Sequence, residues 1–302
     1  MITNGNGAKM SLDESAFELI KSAIKEDIGP GDITSAGSLL VERIKGLIVA
    51  KSEGVLSGSE CLVQVFKMID SGNEITVFKK DGDSFAPGDQ IVRLDGFNNT
   101  LLMAERTALN FLGHLSGVAS MTHRFVEKIK HTNAAILDTR KTTPGMRLLE
   151  KKAVVDGGGK NHRIGLYDMI LIKDNHISAA GSITNAVKNC REYLSAPGFL
   201  SRIGIRPEDI LIEVEVTDQD ELKEGIAVGV DRLLLDNQSL DSLTAMVSLA
   251  RELNPKVQLE ASGNVSLETV AGIAETGVDF ISIGAITHSA PVADFSMRVL
   301  ND

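Results

Sequence analysis

No tryptophan occurs among the 302 residues, and aromatic side chains make up only 4% of them. Val, Ile, Leu and Ala must therefore fill any core, which is the composition of buried parallel strands covered by helices. Basic residues are in deficit. Against 41 Asp+Glu stand 31 Lys+Arg, a formal net charge of −10, which argues against nucleic-acid or membrane partners because both favour basic surfaces. The two cysteines, Cys61 and Cys190, lie far apart without metal spacing. They read as reduced thiols of a cytoplasmic protein. No apolar run reaches the roughly 18 residues of a membrane span, and MITNGNGAKM lacks a basic-then-apolar signal, so residues 1–10 read as a flexible lead. In that compartment the sequons at Asn98, Asn237 and Asn264 carry no sugar. HExxH, P-loop and nucleophile-elbow motifs are absent. His114, His123, His131 and His288 lack partners at metal spacing and read as structural.

The hydrophobic content of 43% over this length supports a large core and two domains, or one barrel with an appendage. Residues 11–27 have helical periodicity, with Ser11 and Glu14 spaced as a capping box and Gly29-Pro30-Gly31-Asp32 as the stop. Short β-like pieces follow at 45–51, 54–56, 74–78 and 90–94, interrupted by a helix near 59–68, which implies a small α+β domain with an antiparallel or mixed sheet. Residues 100–130 read as helical, broken into two helices at Gly113 and Gly117.

From Ala134 the pattern changes. Apolar runs at 134–137, 169–172, 210–216, 232–235, 257–261 and 280–284 alternate with helical stretches near 146–155, 179–194, 218–228, 239–253 and 266–276. Such alternation gives right-handed βαβ units and a parallel sheet. About six repeats suggest a closed or nearly closed α/β barrel, with a doubly wound open sheet as the competing arrangement.

Each run ends in polar residues, and in α/β barrels that end of the strands carries the active site. The window 136–177 holds eight Lys+Arg against five Asp+Glu, reversing the overall balance. Arg140, Lys141, His162, Arg163 and Lys173 near strand ends would repel one another unless an anion compensates, which points to a small, highly charged ligand. Glu215 and Asp236 follow successive strands as candidates for ribose hydroxyls or Mg²⁺, with Glu213 a second candidate on the same strand face. Ser262-Gly263-Asn264 and Gly284-Ala285 end the last two strands, where glycine lets backbone N–H groups approach a phosphate. Gly157-Gly158-Gly159 reads as a linker or as a loop closing over a ligand.

At these residues the chain resembles the quinolinate phosphoribosyltransferase family. The likeness runs through EDIGPGDITS (26–35), AERTALNFLGHLSG (104–117), DTRKTTPGMRLLEK (138–151) and GGGKNHRIGLYDMILIKDNHI (157–177). It continues through IEVEV (212–216), LLDN (234–237), ASGNV (261–265) and SIGAITHSAP (282–291). The resemblance implies an N-terminal α/β sandwich domain over 1–118 and an incomplete, about six-stranded, parallel α/β barrel over 119–290, with a tail at 291–302 returning to the first domain. It implies transfer of phosphoribosyl from phosphoribosyl pyrophosphate to quinolinate with decarboxylation, with Mg²⁺, at the de novo entry to NAD. It also implies a homodimer whose active site borrows Arg106 from the partner, and leaves open assembly into hexamers.

By the same resemblance, Thr139, Arg140, Lys141, His162, Arg163 and Lys173 surround the carboxylates and phosphates. Glu215 and Asp236 meet ribose and metal, and Ser262, Gly263, Asn264, Gly284 and Ala285 cradle the 5′-phosphate. Lys141, Glu215 and Asp236 would be the catalytic residues. One segment departs from the family pattern: where relatives read KYAVR and a small residue, this chain has Lys151-Lys152-Ala153-Val154-Val155-Asp156. Two alternatives remain at this point, a related transferase acting on nicotinate or another such acceptor, and a non-catalytic ligand-binding paralogue. A free-nicotinate enzyme needs fewer carboxylate-binding cations than this set provides.

Overall fold

The computed structural model describes residue 12 and residues 14–300. Ser11 of the expected capping box and the lead at 1–10 lie outside the described residues. Two compact units are present. One comprises the described residues of Met1–His123, Lys141–Gly158 and Ala285–Asp302, and the other comprises Arg124–Arg140 and Gly159–Gly284.

In chain order the first elements are α1 (Glu14–Ile28), α2 (Ile33–Ser38), β1 (Arg43–Ala50), β2 (Gly54–Val55), α3 (Ser59–Ile69), β3 (Glu74–Val77), β4 (Ser84–Phe85), β5 (Gln90–Phe97) and α4 (Asn98–Ile129). Next come β6 (Ala135–Leu137), α5 (Arg147–Asp156), β7 (Ile170–Ile172), α6 (Asp174–Ala180), α7 (Ile183–Leu194), α8 (Phe199–Ile203) and β8 (Ile212–Val216). The chain closes with α9 (Gln219–Ala227), β9 (Arg232–Asp236), α10 (Leu240–Leu253), β10 (Gln258–Ser262), α11 (Val270–Glu275), β11 (Phe280–Ser282), α12 (Ala285–His288) and β12 (Phe295–Leu300).

The first unit is built on an antiparallel sheet of order β12-β1-β5-β3, so the last strand of the chain pairs with the first. Its buried face is aliphatic, with Ile48, Val92 and Leu94 fully buried. Asp32 starts α2, a helix the sequence pattern does not show, by accepting from the N–H groups of Thr34 and Ser35 at 3.0 Å each. Cys61 is buried in α3, and burial pushes its thiol up to about 12, which leaves it an inert packing group.

Contrary to expectation, Gly113 and Gly117 do not break α4, which runs unbroken for 32 residues. Glycine costs about 1 kcal/mol in a helix interior, and here its missing side chain is used. A Cβ on Gly117 would lie 2.1 Å from the Pro291 carbonyl oxygen, and one on Gly113 would lie 2.7 Å from that of Ala293. The Ala293 N–H donates to the Gly113 carbonyl at 3.0 Å. Helix propensity alone says Gly117→Ala should stabilise. Overpacking against residues 291–293 says it should destabilise by about 1–3 kcal/mol, seen as a lower denaturation midpoint.

The unusual segment in α5 has a packing explanation. Lys152 Nζ reaches Asp81 at 2.7 Å and Asp156 at 2.8 Å, with all three side chains mostly buried. Ser57 Oγ donates to Asp156 at 2.7 Å, and Asp81 accepts from the N–H groups of Gly58 and Ser59. Lysine and aspartate one helical turn apart thus compensate each other in the first unit. Gly157 and Gly158 form the turn that ends α5, and a Cβ on Gly157 would lie 2.3 Å from the Ala119 carbonyl oxygen. That packing excludes the closing-loop reading for Gly157.

The second unit holds a six-stranded parallel sheet of order β6-β11-β10-β9-β8-β7. Strands from β7 to β11 are neighbours in sequence order, and β6, the first strand, pairs with β11, the last. An open doubly wound sheet starts in the middle and reverses. This one joins first to last, as a barrel does, and among the described residues no ladder joins β6 to β7. The fold is an incomplete parallel α/β barrel, and the doubly wound alternative is ruled out.

Register fixes which side chains share a face. Lys173 and Glu215 lie two residues past Leu171 and Glu213, which pair across β7 and β8, and Ser262 pairs with both Asp236 and Ser282. Ser282 pairs in turn with Leu137. With a side-chain period of two, Thr139, Lys173, Glu215, Asp236, Ser262 and Gly284 all fall on one face at the carboxyl ends of their strands.

Candidate active site

That face is the barrel interior, and it is polar. Lower in the barrel, Glu213 and Glu260 are fully buried. His162 Nε2 lies 3.0 Å from Glu213 Oε2 and 3.5 Å from Glu260 Oε2. Arg232 Nη1 donates to Glu260 Oε2 at 3.1 Å, and its guanidinium lies over the Phe280 ring at 4.2 Å. Burial pushes the Glu260 carboxyl up to about 7, and the charge of Glu213 pushes the same way. Burial likewise raises Glu213 to about 7 against the pull of Arg232. Two carboxyls this deep and this close retain a proton more readily than free ones.

This geometry revises two expectations. Glu213 shares a face with Glu215, yet it sits one layer deeper and faces His162. One carboxylate oxygen each from Glu213 and Glu260 and a ring nitrogen of His162 lie within 4.8 Å of one another, so Glu213 stays a candidate for a metal ion, in a deeper layer than expected. His162 is almost fully buried. The Arg163 backbone N–H donates to its Nδ1 at 2.7 Å, so Nδ1 carries no proton and Nε2–H points at Glu213. The His162 N–H itself donates to Asp138 Oδ1 at 2.8 Å. Both ring nitrogens therefore serve the protein's own scaffold, and the ring holds the backbone that presents Arg163.

Above this layer lie the cations. The Arg163 guanidinium is shifted down from the ordinary arginine range, first by burial and then by the charge of Arg140, with Glu213 and Asp168 opposing. Asp168 fixes the intervening loop by accepting from the N–H groups of Ile164 (2.7 Å) and Gly165 (2.8 Å). Lys173 Nζ reaches Glu215 Oε2 at 2.5 Å. The Lys173 N–H donates to His176 Nδ1 at 3.0 Å, so His176 caps the start of α6. Guanidinium and ammonium groups are the side chains that suit carboxylate and phosphate.

At the other side of the mouth, Asp236 ends β9 and Ser262-Gly263-Asn264 end β10. Asn237 Nδ2 donates to Asp236 Oδ2 at 3.0 Å, and Asn264 Nδ2 donates to Asn237 Oδ1 at 3.2 Å. Among the described residues, Asn237 and Asn264 are the non-glycine residues with positive φ, at 50° and 51°. Gly284 follows β11. Lys141 and Ala285 are the next residues in the chain after Arg140 and Gly284, and both belong to the first unit, where Thr287 Oγ1 donates to the Lys141 carbonyl at 2.8 Å. Arg106 is exposed on α4 of the first unit. The structure therefore gathers Thr139, Arg140, His162, Arg163, Lys173, Glu215, Asp236, Ser262, Gly263, Asn264 and Gly284 in the barrel unit. Sequence reading passed over Asn237, Arg232, Glu260 and Asp168. The LLDN run was the available signal for Asn237.

Models of the C-terminal and N-terminal domains of quinolinate phosphoribosyl transferase match residues 118–298 and 32–116. The chain belongs to the quinolinate phosphoribosyl transferase family. Family members similar to it include the probable nicotinate-nucleotide pyrophosphorylases [carboxylating] of Bacillus subtilis, 41% identical over 93% of this chain and 92% of that protein, and of Synechocystis, 40% identical over 92% and 90%. Among solved structures of the family, the nicotinate-nucleotide pyrophosphorylase from Francisella tularensis is 37% identical, with a TM-score of 0.88 over 98% of this chain and 100% of that one. That from Ehrlichia chaffeensis is also 37% identical, with a TM-score of 0.86 over 96% and 100%. Family membership accounts for the barrel and for the cationic mouth together.

Proposed function

We propose that the chain transfers the phosphoribosyl group of phosphoribosyl pyrophosphate to the nitrogen of quinolinate, releasing pyrophosphate and CO₂ and leaving nicotinate mononucleotide for NAD synthesis. The observation that carries this reading is family membership over both domains, together with the strand register that sets Glu215, Asp236 and Ser262 at the carboxyl ends of neighbouring barrel strands. Arg140, Arg163 and Lys173 are donors suited to carboxylates, and quinolinate with its two carboxylates uses them better than nicotinate with one.

Arg140, Arg163 and Lys173 grip carboxylates, and Thr139 closes the mouth beside them. Lys141 supplies a compact charge for the pyrophosphate. Ser262, Gly263, Asn264, Gly284 and Ala285 present N–H groups to the 5′-phosphate. The pyridine nitrogen's lone pair forms the bond to C1′ as the C1′–oxygen bond breaks, and that electron pair leaves with pyrophosphate. Positive charge builds on the ribose, where the Glu215 and Asp236 carboxylates stabilise it. The bond from ring carbon 2 to its carboxylate then breaks. Its electron pair stays on carbon 2, adjacent to the quaternised nitrogen, and takes up a proton. Positioning and fixed charge supply the acceleration, with no covalent nucleophile.

Glu215 and Asp236 offer hard oxygen donors on adjacent strands of one face, which fits a hard divalent cation. These residues would hold Mg²⁺, and the chemistry the ion supplies when bound is charge neutralisation on pyrophosphate. Among the described residues no helix is long and apolar enough to cross a membrane, and the balance of cysteines and charge supports a cytoplasmic site of action.

The working assembly is a homodimer in which Arg106 serves the neighbouring copy's site, with hexamers as further assembly. Arg106→Ala and Lys141→Ala should each abolish most activity as homodimers, and mixed heterodimers should regain part of it. Confirmed heterodimers that stay inactive would refute sharing. The substrate reading itself is tested by turnover with each acceptor at matched concentration. Quinolinate should be used and nicotinate should not, and the reverse preference would sink it.

A further inference from the structure

The two positive-φ asparagines face each other across the ends of neighbouring strands. Asn237 follows β9 and Asn264 follows the end of β10, and their side chains meet at 3.2 Å. Asn237 also donates through Nδ2 to Asp236 Oδ2 at 3.0 Å, and its backbone N–H donates to the Ser262 carbonyl at 2.9 Å. Gly263, itself at φ +97°, packs directly on this side chain. A Cβ there would lie 2.1 Å from Asn237 Oδ1 and 2.6 Å from its Cγ. Left-handed backbone is unfavourable for residues other than glycine and is tolerated by asparagine when its amide bonds locally. Such conformations persist where the surroundings over-determine them and concentrate at functional sites.

These contacts join two parts of the site that are separate in sequence. Asp236 belongs to the part assigned to ribose and metal, and 262–264 to the part assigned to the 5′-phosphate. Both would bind the same co-substrate. From these contacts we infer that Asn237 is a positioning residue for phosphoribosyl pyrophosphate, a latch that fixes the Asp236 carboxylate relative to the phosphate turn. The inference rests on the placement of Asp236 and Ser262-Gly263-Asn264 in the proposed site. Asn237 is not a catalytic residue. It acts through Asp236 and Asn264, not on quinolinate, which the proposed reading gives to the arginines and Lys173.

The test uses the full-length enzyme and the variants Asn237→Gly, Asn264→Gly, their double and Asp236→Asn. Glycine keeps the backbone at positive φ without strain and removes the whole side chain with its amide, so these variants fold. Asn237→Gly should raise KM for phosphoribosyl pyrophosphate about tenfold or more, the size expected for a hydrogen bond to a charged group. KM for quinolinate should stay within about twofold, and the thermal midpoint within a few degrees. The double variant should be little worse than Asn237→Gly alone, because both asparagines serve one connection. Equal loss for both substrates, additive losses in the double, or an unchanged KM for phosphoribosyl pyrophosphate would overturn the latch. Asp236→Asn separates the causes. If it raises KM for phosphoribosyl pyrophosphate while Asn237→Gly does not, the latch alone is wrong. If it also changes nothing, the placement of Asp236 has failed and the latch falls with it.

Discussion

Glu215→Gln is expected to lower kcat/KM for phosphoribosyl pyrophosphate by about 10²–10³, the scale for removing one preorganised group aimed at transition-state charge. The substitution is nearly isosteric, and the residue is mostly buried at the end of β8. Its partner Lys173 is about half exposed, and the pair spans 2.5 Å. An ion pair with one exposed member contributes little to folding, about 0–1 kcal/mol. The thermal midpoint should therefore barely move while activity collapses. Lys173→Ala makes the contrast. It should act mainly on KM for quinolinate, because the lysine grips a carboxylate, whereas Glu215→Gln should act on kcat. If the two variants lost activity in parallel with equal shifts in stability, the pair would be only a strut.

Arg232→Met should have the largest effect on stability. Arg232 is buried at the barrel floor, bonded to Glu260 Oε2 and to Gln258 Oε1, and stacked on Phe280. Removing the cation leaves two deeply buried carboxyls with less compensation. Breaking a buried pair on one side costs about 3–5 kcal/mol, because the remaining charge stays uncompensated. Removing both partners together is far milder, so Arg232→Met with Glu260→Leu should recover a large part of the loss. Urea denaturation of four proteins, the unsubstituted chain, Arg232→Met, Glu260→Leu and the double variant, measures this directly. A double variant as unstable as the sum of the singles would show that the charges were not coupled.

Much of this molecule was legible in its sequence, for definite reasons. Parallel strands buried on both faces read as short apolar runs, so 169–172, 210–216 and 232–235 announce β7, β8 and β9. Polar residues after each run then mark the barrel mouth, which is why Lys173, Glu215, Asp236 and Ser262 could be named before any geometry. Other features depend on contacts distant in sequence. Gly113 and Gly117 look like helix breakers until residues 291–293 are seen against them. Lys152 and Asp156 are an unexplained departure from the family until the Lys152 ammonium is seen between Asp81 and Asp156. His162 counts as a cation by residue type, and only the Arg163 N–H at Nδ1 and the glutamates at Nε2 give it a structural job. Asn237 carries no signal beyond lying next to Asp236. Its role follows from φ and from the packing of Gly263, which a residue string does not encode.

The central claim is that the cationic mouth couples phosphoribosyl transfer to loss of a carboxylate. The most direct measurement is the ratio of labelled CO₂ to pyrophosphate when the enzyme is given quinolinate labelled in its 2-carboxylate together with phosphoribosyl pyrophosphate and Mg²⁺. The account predicts one CO₂ per pyrophosphate, and no CO₂ when phosphoribosyl pyrophosphate is omitted. Pyrophosphate release without CO₂, or CO₂ release that does not need the co-substrate, would contradict it.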